Sequence, residues 1–310
     1  MNDNAISYCF ERLHVEVARH ATDDFNPFHD PRRWQQIAGN PFGATIVLGF
    51  QLAFLASDLV RRRQREAAAS QRITDHGLHF CNYEFLFANA LRPGEPFRVE
   101  VKPTLDGTAR GGGLSNRILV RTAEGRPVLT GTQSETAAPR FLADTPPTGL
   151  PLLDRLPDRI PVPGSPYFLK RKFMNTSNGK NFALASLADP QDYFDELSER
   201  VQVPPLVTAA LLSSALLEKS WREHYDFIAD PVVYTRHQIT IDRRLQRQLR
   251  SNERLHFLEE GPLAVPPTGG LGGTGVQQHL HRCFGLVQGS QLLLRANLYT
   301  APLRAMRHQA

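Results

Sequence analysis

The sequence predicts an α+β protein built from two like halves, each a long buried helix followed by a meander of antiparallel strands. Three observations carry this. Two long apolar helical runs, "TIVLGFQLAFLASDLVRRR" from Thr45 and "PPLVTAALLSSALLEKSW" from Pro204, are each followed by strand-like runs. The two series keep step: the helices begin near 46 and 205, a shift of about 159, the first strands near 79 and 233, about 154, and the third strands near 114 and 276, about 162. The strands also follow one another without intervening helices, which excludes a parallel doubly wound sheet.

The first helical run is apolar nearly all round, so it is expected in the interior rather than on a surface. After it come "HFCNYEFLF", "EPFRVEVKPT", "LSNRILVRTA" and "RPVLTGTQSETA", separated by turn signals such as Arg92-Pro93-Gly94 and Glu124-Gly125. The stretch "ADTPPTGLPLLDRLPDRIPVPGSP", residues 143–166, is proline-rich and lacks either periodicity, so it reads as a linker between halves 1–142 and 167–310. The second helix is opened by Pro204-Pro205, and "PVVYTRHQITI", "RLHFLEE", "VQQHLHRCFGLV" and "SQLLLRANLYT" follow it as strands. An antiparallel sheet wrapped around a central helix is the hotdog arrangement. Two side by side make a double hotdog, which is the predicted fold.

Composition narrows the setting. The 310 residues are 41% hydrophobic and 22% charged, the balance of a globular protein. No run of eighteen apolar residues occurs, so no membrane span is expected. The N-terminal "MNDNAISYCFERLHVEVARH" has early acids and no apolar core, unlike a secretory signal. Cys9, Cys81 and Cys283 are few, odd in number and far apart, which suits reduced thiols in a cytoplasmic protein. The net charge of +5 favours an acidic partner. No aromatic-interleaved basic stripe accompanies it, so nucleic acid is not expected.

The segment "ATDDFNPFHDP", residues 21–31, packs carboxylates, turn formers and a histidine just before the first long helix. Such residues also build an ordinary Asx-turn loop whose acids meet arginines such as Arg32. Placed at a helix N-terminus, Asp24 and His29 are suited to share one water, which can add to a polarised double bond or leave as it forms. The free N–H groups of that helix would lie where a carbonyl oxygen gains charge. Gly49 lets a backbone N–H approach a ligand without a side chain intervening.

The run "DDFNPFH" followed by "IVLGFQLAFLAS" resembles the MaoC-like enoyl-thioester hydratases, also called hydratase 2 or (R)-specific enoyl-CoA hydratases. Their motif is Gly-Asp-x-Asn-Pro-x-His, with a later Ile-Val-His-Gly run opening the hotdog helix. Asp24, Asn26, Pro27 and His29 fall on the motif, and Asp23 and Leu48 stand where the family has glycine and histidine. The His-Asp-Pro that ends the segment is one residue shorter than the family's usual His-x-Asp-Pro. The resemblance covers residues 15–138 with motif support and the second half by architecture. It implies Asp24 and His29 as the catalytic pair, with Gly49 in the oxyanion hole. Asn26 and Ser57 would line the substrate pocket. It also implies a substrate carried on CoA or the phosphopantetheine of an acyl carrier protein, no further cofactor, and a monomeric pseudodimer or homodimer. A thioesterase, or a non-catalytic acyl-binding subunit, is the alternative. The second half offers "LASLADPQDYFDELSE" where the motif should recur, with Asp189, Asp192 and Asp195 but no histidine until His224, a lapsed copy.

Positive potential for CoA phosphates or acidic carrier helices is expected from Arg61, within Arg61-Arg62-Arg63, and from Lys170, Arg171 and Lys172. "HLHRC" places His279, His281 and Cys283 at period two on one strand face, a spacing zinc could use. No further ligand cluster accompanies it, so no metal is expected. The glycine-rich "PTGGLGGTG" (267–275) and "LDGTARGGG" (105–113) lack the Gly-Lys-Ser/Thr ending of a phosphate loop and are expected to be strand connections. No Gly-x-Ser-x-Gly elbow occurs, so a serine hydrolase is not expected.

Overall fold

Each half runs strand, helix, loop, long helix, then four strands. In the first these are β1 (Ser7–Cys9), α1 (Arg12–Thr22), α2 (Gly49–Glu66), β2 (Phe80–Phe87), β3 (Pro96–Val101), β4 (Leu114–Thr122) and β5 (Pro127–Thr136). The second has β6 (Phe168–Met174), α3 (Thr176–Ala185), α4 (Pro205–Ala210), α5 (Leu212–Arg222), β7 (Val232–Asp242), β8 (Glu253–Val265), β9 (Gln278–Val287) and β10 (Gln291–Pro302). This computed structural model describes residues 6–66, 69–142, 148–265 and 277–306. The glycine-rich 267–275 therefore lies outside the described residues.

All these strands share one antiparallel sheet in the order β1-β3-β4-β5-β2-β7-β10-β9-β8-β6. The order is the same from either end once each strand is exchanged for its repeat counterpart, so the duplication is built into the hydrogen bonding. The halves join where β2 pairs with β7, Phe85 opposite His237 and Asn82 opposite Thr240. Thr240 Oγ1 donates to Asn82 Oδ1 at 2.7 Å across this seam, and Arg236 pairs with Glu84 beside it.

The long helices are buried in the core and pack on one another. Small residues permit this: Ala53 and Ala56 on α2, and Ala209 and Ala210 on α4, are fully buried or nearly so. Phe54 of α2 meets Phe182 of α3 edge-on at 5.6 Å, and a single apolar cluster runs through both halves. Gln51 of α2 donates to the Ala185 carbonyl at 2.6 Å. The proline-rich segment, over residues 148–166, packs on the second half: Leu153 and Val162 are buried with Leu258 and Phe284. Ile160–Pro161 pairs with β6 and so covers a sheet edge that would otherwise expose its backbone.

The helix expected from Thr45 begins at Gly49. The N–H of Ile46 is used by the Phe28 carbonyl and that of Val47 by the Leu91 carbonyl, so the chain enters the helix extended. In "LDGTARGGG" an added Cβ on Gly113 would lie 1.8 Å from the Glu135 carbonyl oxygen, which only glycine tolerates in this hairpin connection.

Candidate active site

The loop after α1 is built to hold two side chains still. Helix α1 stops at Asp23, which takes the left-handed conformation at φ 54°, and the Asp24 N–H closes the cap on the Arg19 carbonyl at 2.8 Å. Asp tolerates this region better than most residues, and the Asp23 carboxylate ion-pairs with Lys172. Asp24 Oδ1 then accepts from the Asn26 N–H at 3.0 Å, and Asn26 Oδ1 accepts from the Phe28 N–H at 3.1 Å. With Pro27 at its first position, that cap starts a single 3₁₀ turn, Pro27–His29. Asp30 ties the turn back to α1 through Arg19 at 3.1 Å.

Asp24 and His29 are 5% and 7% exposed and line the same cavity, of about 640 Å³. That size suits a substrate chain. Its other walls include Leu48, Leu52, Phe87 and Val128 from the first half, with Leu216 and Leu217 from α5. His29 Nδ1 lies 2.8 Å from the Ile46 carbonyl oxygen. A carbonyl can only accept, so Nδ1 carries the hydrogen, and in the neutral ring Nε2 presents its lone pair. Among the described residues no protein group bonds Asp24 Oδ2. One carboxylate oxygen and one imidazole nitrogen are thus left for a small polar ligand.

Gly49 opens α2 on the cavity wall, where the first N–H groups of a helix have no intrahelical acceptor. An added Cβ there would lie 3.1 Å from Phe87 Cζ, so glycine keeps this wall open. Asn26 also faces the cavity, but its amide oxygen is spent on the 3₁₀ cap, which makes it a positioning residue. Ser57 sits two turns along α2 and is not among the residues that line the cavity.

The four basic candidates are not at this cavity either. Lys170 and Lys172 point inward from β6, with side chains 5% and 11% exposed. Lys170 Nζ pairs with Glu218 at 3.0 Å and Asp158 at 3.3 Å, and Lys172 with Asp23. The Arg171 guanidinium donates to the Leu153 and Leu156 carbonyls at 3.0 and 2.8 Å. They line a separate polar cleft of about 290 Å³, with the two lysines already ion-paired. Arg61 bridges the halves, donating to Asp58 and Asp192 at 2.6 Å each and to Tyr193 Oη at 2.9 Å. Lys170, Lys172 and Arg61, expected at a headgroup site, are held by carboxylates remote in sequence, and Arg171 by backbone carbonyls, so all four tie the fold internally. Lys170→Glu would therefore gather three carboxylates and lower stability by about 3 kcal/mol, the order for breaking a buried pair. An unchanged urea midpoint would restore Lys170 as a free surface cation.

Sequence reasoning missed what the second half brings here. Tyr234, His281, Thr300 and Ser220 line the cavity. Burial pushes the Tyr234 phenol well up, and the Asp24 carboxylate adds to this, so Tyr234 is a neutral hydroxyl beside Asp24. His237, fully buried, stacks on Phe50 at 4.4 Å and would lie 3.8 Å from a Cβ on Gly49. Burial drops it to about 3, so its ring is neutral. In the second repeat the 3₁₀ turn is Pro190–Asp192, capped by Asp189, and Asp192 holds Arg61 where His29 closes the turn of the first. Among the described residues no group of three His, Cys, Asp or Glu side chains could hold a metal. Cys283 is buried, its thiol pushed up by burial.

No protein-family model matches the chain, and no curated protein matches it. Solved structures do. A MaoC domain protein dehydratase from Chloroflexus aurantiacus aligns at TM-score 0.55 and 11% identity, over 96% of this chain and 93% of that one. A MaoC-like dehydratase aligns at 0.54 and 12%, over 96% and 95%. A Mycobacterium tuberculosis protein described as having a double hotdog fold aligns at 0.55 and 12%, over 97% and 95%. The fold of this chain is a double hotdog.

Proposed function

We propose that the protein catalyses the reversible hydration of a trans-2-enoyl thioester to the (R)-3-hydroxyacyl thioester, carried on CoA or acyl carrier protein. The observation that carries this reading is the bare Nε2 of His29, left so by the Ile46 carbonyl, in one cavity with the Asp24 carboxylate. A carboxylate and a neutral imidazole together can hold a single water by both its hydrogens. The water oxygen bonds to C3 as one of its protons passes to the pair, and a proton is returned to C2 from the same side, so that H and OH add syn. The electron pair displaced from the double bond moves onto the thioester oxygen. That oxygen is placed at the N-terminus of α2, where the Gly49 N–H and the helix dipole favour negative charge. His237, neutral beside this terminus, adds no competing cation.

Both halves line the cavity, so one chain supplies a complete site and acts as a pseudodimer. The test is crotonyl-CoA followed at the enoyl-thioester absorbance band together with thiol release. Loss of the band without thiol is the expected result. Thiol release would mean a thioesterase, and neither signal across a series of chain lengths would mean an acyl-binding subunit.

A further inference from the structure

The second repeat gives the cavity a line of linked polar side chains that hydration does not use. Tyr234 of β7 stands directly opposite Thr300 of β10, and Thr300 Oγ1 lies 3.3 Å from His281 Nε2 on β9. His281 Nδ1 lies 2.8 Å from Glu259 Oε1 on β8, and Glu259 Oε2 lies 3.2 Å from Lys219 Nζ on α5. Glu259 is fully buried and His281 8% exposed. The backbone makes room for the pair. Strand β8 bulges between Glu260 and Leu263, and Gly261 takes φ +152° there. A Cβ on it would lie 3.0 Å from both Glu259 Oε1 and His281 Nδ1.

A buried carboxylate is costly without compensation, and an apolar trio would pack as stably. Here Lys219 and Glu259 act on one imidazole. The carboxylate only accepts, so Nδ1–H points to Glu259, and in the neutral ring Nε2 keeps its lone pair. The Thr300 hydroxyl donates to Nε2 and leaves its own oxygen lone pairs for the cavity. This wall therefore accepts hydrogen bonds. A plain hydrocarbon chain would strip it of water and return nothing, whereas a hydroxyl would satisfy it.

We propose that the acyl chain of the natural thioester carries a further hydroxyl group, bound by Thr300 and His281, with Glu259 and Lys219 positioning the imidazole. This rests on the thioester reading above. The test is calorimetric binding of octanoyl-CoA and of 5-, 6-, 7- and 8-hydroxyoctanoyl-CoA to the intact protein. At least one hydroxy isomer should bind about tenfold tighter than octanoyl-CoA, the effect of one net hydrogen bond. That ratio should fall to near one in His281→Leu and in Thr300→Val, the second of which keeps the side-chain shape and leaves the Glu259 pair intact. Equal or weaker binding of every isomer, or a ratio unmoved in Thr300→Val, would overturn the proposal while leaving the thioester reading standing. Failure to bind any of these thioesters would overturn both.

Discussion

Asp24→Asn and His29→Ala each lower kcat on an enoyl thioester by a factor on the order of 10² to 10⁴, the usual contribution of a positioned acid or base. Asp24→Asn keeps the side-chain oxygen that accepts from the Asn26 N–H, so the loop retains its shape and only the charge is lost. His29→Ala removes the Nδ1 tie to the Ile46 carbonyl but leaves the cap of the 3₁₀ turn in place. Because the two groups act on one water, the double variant should be scarcely slower than the worse single one. Wild-type turnover in either single variant, with the fold intact, would remove the pair from the chemistry.

The second large effect is on stability. His237 is held by burial at about 3 against an ordinary 6.5, so below pH 6.5 the unfolded chain binds a proton that the folded chain refuses. Its contribution is complete above pH 6.5 and is lost as the pH falls towards 3, at about 1.4 kcal/mol for each pH unit. Between pH 6.5 and 4.5 that is on the order of 2 kcal/mol. His237→Phe keeps a ring against Phe50 and Phe87 and has nothing to protonate. Urea unfolding at several pH values should give a shallower acid slope for this variant. Parallel slopes would show that His237 accepts a proton in the folded state.

The duplicated pattern of helix and strands, and the loop with its two candidate groups, were legible because each is local. Period-two runs gave the strands, and Asn26-Pro27 gave the turn. Helices α1 and α3 were not legible. The run "TSNGKNFALA" in α3 has weak helix formers, and Gly179 is there because a Cβ would meet Phe194 Cζ at 3.0 Å. In β6, Lys170 and Lys172 alternate inward and leave Phe173 exposed, against the usual pattern. What reverses it is Glu218 and Asp23, each remote in sequence. Glu259 left one readable sign: it continues the alternation of Leu255 and Phe257, which puts a carboxylate on a buried strand face.

The central claim is that water adds to the acyl chain rather than to the thioester carbon. Crotonyl-CoA turned over in oxygen-18-labelled water, with the products read by mass spectrometry, tests it most directly. The expected result is label in the C3 hydroxyl of an intact 3-hydroxybutyryl-CoA, gained on the order of 10² to 10⁴ times more slowly after Asp24→Asn. Label in a free carboxylate, with CoA released as thiol, would contradict it.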